Sequence, residues 1–205
     1  MKLLKITIVF MLMSLTAAAH QPTTSTTMFS KTENGTWVLQ VNSSLTAFES
    51  EIHYHYGKDS YKTAQEFEEL VIKYLKKHIV VLANNKIVIN LNQAYVKLGH
   101  ETNVVFEIDA IPTPLTSMTV TNNSFKDINR SKSAFIILMD GYEKDHFVLE
   151  KDNNFTASII NTGSKFELKE VSEKRNRNVI IYSLLAISLM ILVSLFTYFY
   201  FKNKK

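Results

Sequence analysis

Between about residue 23 and residue 170, hydrophobic and polar positions mostly alternate, the period that puts successive side chains on opposite faces of a strand. "TWVLQVN" alternates, and "KIVINLN" places Ile87, Ile89 and Leu91 on one face. "AYVKLGHETNVVFEIDA" reads as a hairpin turning near Gly99 to Asn103, with Val104, Phe106, Ile108 and Ala110 pointing the same way. In "SAFIILMDGYEKDHFVLE" the turn falls near Asp140 and Gly141, and Phe147 and Leu149 lie on the returning strand. "FTASII" supplies a last short strand, and Pro112 and Pro114 punctuate the middle.

One segment changes to the helical period. Phe67, Leu70, Val71, Tyr74 and Leu75 follow the i, i+3, i+4, i+7, i+8 stripe, and Thr63 with Glu66 fits a capping box. Glu66, Glu68 and Glu69 at its start and Lys73, Lys76, Lys77 and His78 at its end complement the helix dipole. The segment is expected to be a structural helix with one face on the sheet. Short strands without an alternating βαβ pattern predict a mainly β fold, an antiparallel immunoglobulin-like β-sandwich with one amphipathic helix.

The two ends of the chain read differently. Residues 1–19 carry Lys2 and Lys5, the uncharged run "ITIVFMLMSL" and then Ala17, Ala18 and Ala19. This is the three-part layout of a signal peptide, in a helix too short to span a bilayer, and cleavage after Ala19 would make His20 the mature N-terminus. Residues 179–201, "VIIYSLLAISLMILVSLFTYFYF", hold no charge and reach roughly 34 Å as a helix, enough to cross the hydrocarbon core. Tyr182, Tyr198 and Tyr200 stand where interfacial aromatics stand, and basic residues flank both sides, so the signal peptide decides the orientation. The expected order is a signal peptide over 1–19, an exported domain over 20–170, a charged stalk over 171–178, a transmembrane helix over 179–201 through the lipid bilayer, and a cytoplasmic tail over 202–205.

Charge refines this picture. The whole chain is +4, but His20 to Glu173 contains fifteen Lys or Arg against nineteen Asp or Glu, a net of −4. The basic excess belongs to the signal and membrane flanks, which removes the main support for a nucleic-acid partner. The chain has no cysteine, which excludes disulfides, thiol catalysis and thiolate metal sites and favours a bacterial envelope over a eukaryotic secreted setting. Five Asn-x-Ser/Thr sequons, at Asn34, Asn42, Asn122, Asn129 and Asn154, point the other way, but a chain this rich in Asn, Ser and Thr forms them by chance.

No catalytic motif stands out. There is no G-x-S-x-G, H-E-x-x-H, P-loop or G-x-G-x-x-G, and the chain holds only five glycines. Glu49 and Glu51 would share a strand face as a carboxylate pair, a spacing common on solvated strands. In "EIHYHYGKDS" a strand would project His53 and His55 from one face and Tyr54 and Tyr56 from the other, and two such imidazoles can begin a zinc, copper or nickel site. A helix would turn the two histidines apart. His20, as a mature N-terminus, would offer its amine and ring nitrogen as a chelating pair suited to copper(II). His20, His53 and His55 are therefore the candidate metal ligands. His78, His100 and His146 read as a helix-end charge, a turn residue and a strand-face residue.

The exported start "AHQP", the early strand "WVLQV", the helix leading into "YLKKHIVVLANNKIVINL", the hairpin "VKLGHETNVVFEID" and the closing "HFVLE" resemble the exported β-domain of HupE/UreJ-type membrane proteins and related small exported bacterial proteins. The resemblance spans about residues 19 to 160. It implies a β-domain in the envelope; of the family pattern only His20 and His78 match, and the single expected span does not carry over the transport associated with polytopic members. The expected function is that of a single-pass, membrane-anchored accessory protein of the cell envelope that binds a protein partner and is not a catalyst. The alternative is a periplasmic copper or nickel carrier using the N-terminal histidine, and a hydrolase is a distant third.

Overall fold

The computed structural model describes residues 24–108, 111–169 and Ser188. The chain divides into two units, Met1–Leu168 and Lys169–Lys205. The expected signal helix and His20 lie outside the described residues, as does the span over 179–201 apart from Ser188. Among the described residues no helix is long and apolar enough to cross a membrane.

Among the described residues the first unit is mainly β, with two sheets and two helices. β1 (Ser25–Lys31), β2 (Trp37–Ser44), β5 (Ala94–Lys97), β6 (Glu101–Ile108), β8 (Lys132–Ile137) and β9 (Asp145–Glu150) form one sheet in the order β5-β6-β2-β1-β8-β9. β3 (Ile79–Ala83), β4 (Ile87–Val88), β7 (Ser117–Asn122), β10 (Thr156–Asn161) and β11 (Phe166–Leu168) form the other, in the order β11-β10-β7-β3-β4. The second sheet is antiparallel throughout. The first is mixed, because β1 runs parallel to β8, with Ser25 beside Ser133 and Phe29 beside Ile137. Alternation identifies a strand but not the direction of its neighbour, so the all-antiparallel expectation fails at this pair.

The predicted period is realised as burial. Leu39 and Val41 on β2, Val104, Phe106 and Ile108 on β6, and Phe135 and Ile137 on β8 point into the same core as Val81, Met118, Val120 and Ile159 of the second sheet. A polar link crosses between the sheets: the Asn122 amide on β7 donates to Thr27 Oγ1 on β1 at 2.8 Å. The β5–β6 hairpin turns where the sequence predicts, with Val96 opposite Val104. In "KIVINLN" the ladder ends at Val88, so Ile89 turns into the core while Ile87 stays exposed. The three-residue β3–β4 connection turns through Asn84 and Asn85, both at positive φ, and the Lys86 N–H closes the turn on the Ala83 carbonyl at 3.2 Å.

Two helices, where one was expected, connect β2 to β3. α1 (Leu45–Tyr56) starts at Ser44, whose hydroxyl accepts from the Ala47 N–H at 3.1 Å. It ends at Gly57, whose φ of 94° and ψ of 158° suit a residue without a Cβ. α2 (Ala64–His78) is the predicted helix, with the Thr63–Glu66 capping box formed and Phe67, Val71, Tyr74 and Leu75 buried. The helices pack on each other, α1 also against β2 and β6 and α2 against β3 and β5.

Candidate functional site

The segment carrying the candidate histidines is helical, which reorganises the chemistry expected there. Ala47, Phe48, Glu51 and Ile52 form the buried face of α1, packed on the core because the apolar contacts of Phe48 and Ile52 outweigh the strand preference of the Tyr and Ile residues. Residues two apart on a helix point in nearly opposite directions, so His53 and His55 do not form the expected pair. His53 stacks on Tyr61 at 5.6 Å and its Nε2 is hydrogen-bonded to the Tyr61 hydroxyl at 3.1 Å. Burial, and then the charge of Glu49, push that hydroxyl's pKa up. Glu49 and Glu51 separate for the same reason, Glu51 being buried and Glu49 half-buried.

His55 instead joins Glu51, four residues earlier on the same face, and Asp127 on the β7–β8 loop. Its Nε2–H donates to Asp127 Oδ2 at 3.1 Å and lies 3.5 Å from Glu51 Oε2. One ligand atom from each of the three residues falls within 4.8 Å of the others. Glu51 forms the buried floor, its side chain 2% exposed, while His55 and Asp127, at 28% and 30%, form a rim open to solvent.

The loop that brings Asp127 here is fixed at its base. Asn122 Oδ1 accepts from the Ser124 N–H at 3.0 Å, and Phe125 is buried edge-to-face against Phe48 of α1 at 5.1 Å. Tyr74 of α2 closes the floor. Its fully buried hydroxyl lies 2.9 Å from Glu51 Oε2 and 2.7 Å from the Ser124 carbonyl oxygen. One hydroxyl proton cannot serve two acceptors fully, so both contacts are good hydrogen bonds when Glu51 is a carboxylic acid that donates to Tyr74, which then donates to Ser124. Burial pushes the Glu51 pKa up, with the Asp127 charge adding to it, while the Tyr74 hydrogen bond and the charges of His55 and Lys126 oppose the rise. The Tyr74 hydroxyl is held well above its ordinary value by burial and by Glu51. Glu51 Oε1 is buried with no hydrogen-bond partner among the described residues.

His78 extends the cluster. Its Nδ1–H donates to the Tyr74 carbonyl at 2.8 Å, and its ring centre is 4.1 Å from that of Tyr74 and 5.6 Å from that of His55. Burial lowers its pKa despite the backbone hydrogen bond, and His55, Lys77 and Lys126 lower it further. His78 lies in the last turn of α2, as expected, but it is half-buried, and burial disfavours its charged form.

Of the candidate ligands among the described residues, His55 enters this cluster and His53 does not; Glu51 was expected only as half of a strand-face carboxylate pair, and Asp127 and Tyr74 were missed. The missed signal lies in the stripe Phe48, Glu51, Ile52, His55, spaced i, i+3, i+4, i+7, which puts a carboxylate on a helix's apolar face. A groove of about 590 Å³ lies beside the cluster at the start of α1 and shares Ile128 with the same loop. Thr24, Ser25, Asn42, Ser43, Ser50 and Glu101 put polar side chains on its wall. Of the sequons, Asn122 is buried and engaged on both sides of its amide, which leaves no room for a glycan in the folded domain. No protein-family model matches the chain, and no curated protein matches it.

Proposed function

We propose that this chain is a single-pass, membrane-anchored accessory protein of the cell envelope, with an immunoglobulin-like β-sandwich outside the cytoplasm that works by binding a protein partner and not by catalysis. The observation that carries the reading is the boundary at Leu168, where the compact unit ends. Composition changes at the same point, from alternating strands to the charged stretch "KEVSEKRNRN" and the uncharged run over 179–201. A folded head, a charged stalk and an apolar run long enough to span a bilayer are the parts of an anchored ectodomain.

Two features support binding as its mode of action. The edge strands β4 and β5 carry exposed Ile87, Val88 and Tyr95, and edge strands present unpaired backbone groups that a partner's strand can take up. The likeness to the exported β-domain of HupE/UreJ-type proteins supports the same address.

The test is protease treatment of intact spheroplasts expressing the full chain with a C-terminal tag, followed by mass measurement of the membrane-extracted protein. The reading expects digestion of the domain from outside, protection of the tag, resistance to alkaline extraction and a mass beginning at His20. A domain protected in intact spheroplasts, or a chain released by alkali, would sink it.

A further inference from the structure

We propose that Glu51, His55 and Asp127 form a binding site for a divalent cation of the zinc class, between α1 and the β7–β8 loop. The inference is independent of where in the cell the chain resides.

Geometry is the first support. At metal–ligand distances of about 2.0–2.2 Å, a tetrahedral set places neighbouring ligand atoms about 3.3–3.6 Å apart. His55 Nε2 stands 3.1 Å from Asp127 Oδ2 and 3.5 Å from Glu51 Oε2, and all three donors lie within 4.8 Å. Small side-chain rotations bring such a set onto one ion, and the exposed rim leaves a fourth position to water. One imidazole and two carboxylates, with no thiolate available, suit zinc better than the softer copper(I).

The second support is the floor. Glu51 is 1% exposed, yet its Oε1 has no hydrogen-bond partner among the described residues. A buried acceptor without a partner costs free energy that a ligand can recover. Tyr74 meanwhile hydrogen-bonds Oε2, the oxygen 3.5 Å from His55 Nε2, at 2.9 Å, in the way outer partners orient a ligating carboxylate. A third support is chemical complementarity: the carboxyl groups of Glu51 and Asp127 converge on one imidazole, three donors of the kind a divalent ion takes. A divalent ion would neutralise both carboxylates at once. To bind the ion, His55 would present its Nε2 lone pair with its one remaining proton on Nδ1, and Glu51 would release its carboxyl proton to solvent.

The experiment uses the full chain in detergent, stripped with chelator and dialysed, then titrated with zinc chloride alone by calorimetry, with bound metal counted by mass spectrometry. The expected result is about one zinc per chain, with affinity falling by about tenfold or more in His55→Ala, Asp127→Asn and Glu51→Gln. His53→Ala should bind as the parent does, and zinc should raise the melting temperature of the parent but not of Asp127→Asn. Asp127 is on the exposed rim, so that variant tests the site without disturbing the core. Absence of zinc binding by the folded parent would overturn the proposal. So would affinity unchanged in both His55→Ala and Asp127→Asn, or binding lost in His53→Ala, which would put the metal on another histidine.

Discussion

Replacing Tyr74 with phenylalanine removes one oxygen from the most buried part of the candidate site. That oxygen lies within hydrogen-bond distance of Glu51 Oε2 and of the Ser124 carbonyl, both shut off from water. The ring still fills its space, so the cost comes from polar groups and not from a cavity. Two buried groups lose a partner, and an unsatisfied buried acceptor costs about 1–3 kcal/mol, so Tyr74→Phe should destabilise by about 2–4 kcal/mol. For a domain of this size that corresponds to a fall of roughly 5–15 °C in melting temperature. The assay is thermal and urea unfolding of the full chain in detergent with chelator present, for Tyr74→Phe, Glu51→Gln and the double variant. Glutamine keeps the side chain's shape and can donate to Tyr74 as the protonated carboxyl does, so Glu51→Gln alone should cost less than Tyr74→Phe. In that background the amide donates to the Tyr74 oxygen in the same way, so Tyr74→Phe should cost about as much as it does in the parent. A Tyr74→Phe variant within about 0.5 kcal/mol of the parent would refute the hydroxyl's bridging role.

The folded-state pKa of Glu51 is raised above its ordinary value of 4.5, so the native state holds the proton where the unfolded chain has released it. Stability of the metal-free protein should fall as pH rises from the unfolded value through the folded one, and Glu51→Gln should flatten that slope. Urea unfolding in chelator from about pH 5 to about pH 8 reads it, and parallel curves for the two proteins would remove the assignment. Gly57→Ala should destabilise by about 1–3 kcal/mol, since φ 94° and ψ 158° are nearly exclusive to glycine, and a neutral result in thermal melts would deny that α1 needs this stop. Asn122→Ala removes the amide that joins the sheets through Thr27 and fixes the start of the Asp127 loop. It should cost about 1–3 kcal/mol in urea unfolding, and it should also weaken zinc binding, an effect a purely structural asparagine would not produce.

α2 was legible because its signals are local and agree: a capping box, an apolar stripe and charges matched to the dipole all fall within residues 63 to 78. The strands were legible for a similar reason, since one buried face imposes period two. α1 was not. Ile52, Tyr54 and Tyr56 favour strands and alternate with polar residues, so the local pattern points to β while packing of Phe48 and Ile52 selects the helix. That one misreading displaced the candidate site, because a change from period two to period 3.6 breaks the His53–His55 pair and creates the Glu51–His55 pair. Asp127 carried no local signal at all: its place depends on Phe125 and Asn122, contacts made across the fold.

The site therefore sits on the parts of the chain that the sheet ladders leave free: a helical connection between β2 and β3, and a loop between β7 and β8. The ladders stop at Asn122 and resume at Lys132, so strand pairing alone accounts neither for Asp127 nor for a carboxylate at 51. A hydrophobic residue of similar volume there would avoid desolvation and leave no oxygen without a partner, and replacements of this kind often leave buried charged groups' hosts as stable or more so. Core packing thus explains Phe48 and Ile52 but argues against Glu51. What the carboxylate does provide is a fixed, deep donor aligned with His55 by helical spacing and with Asp127 by an anchored loop. A residue that costs stability and completes a ligand set is better accounted for by what it holds than by what it packs against.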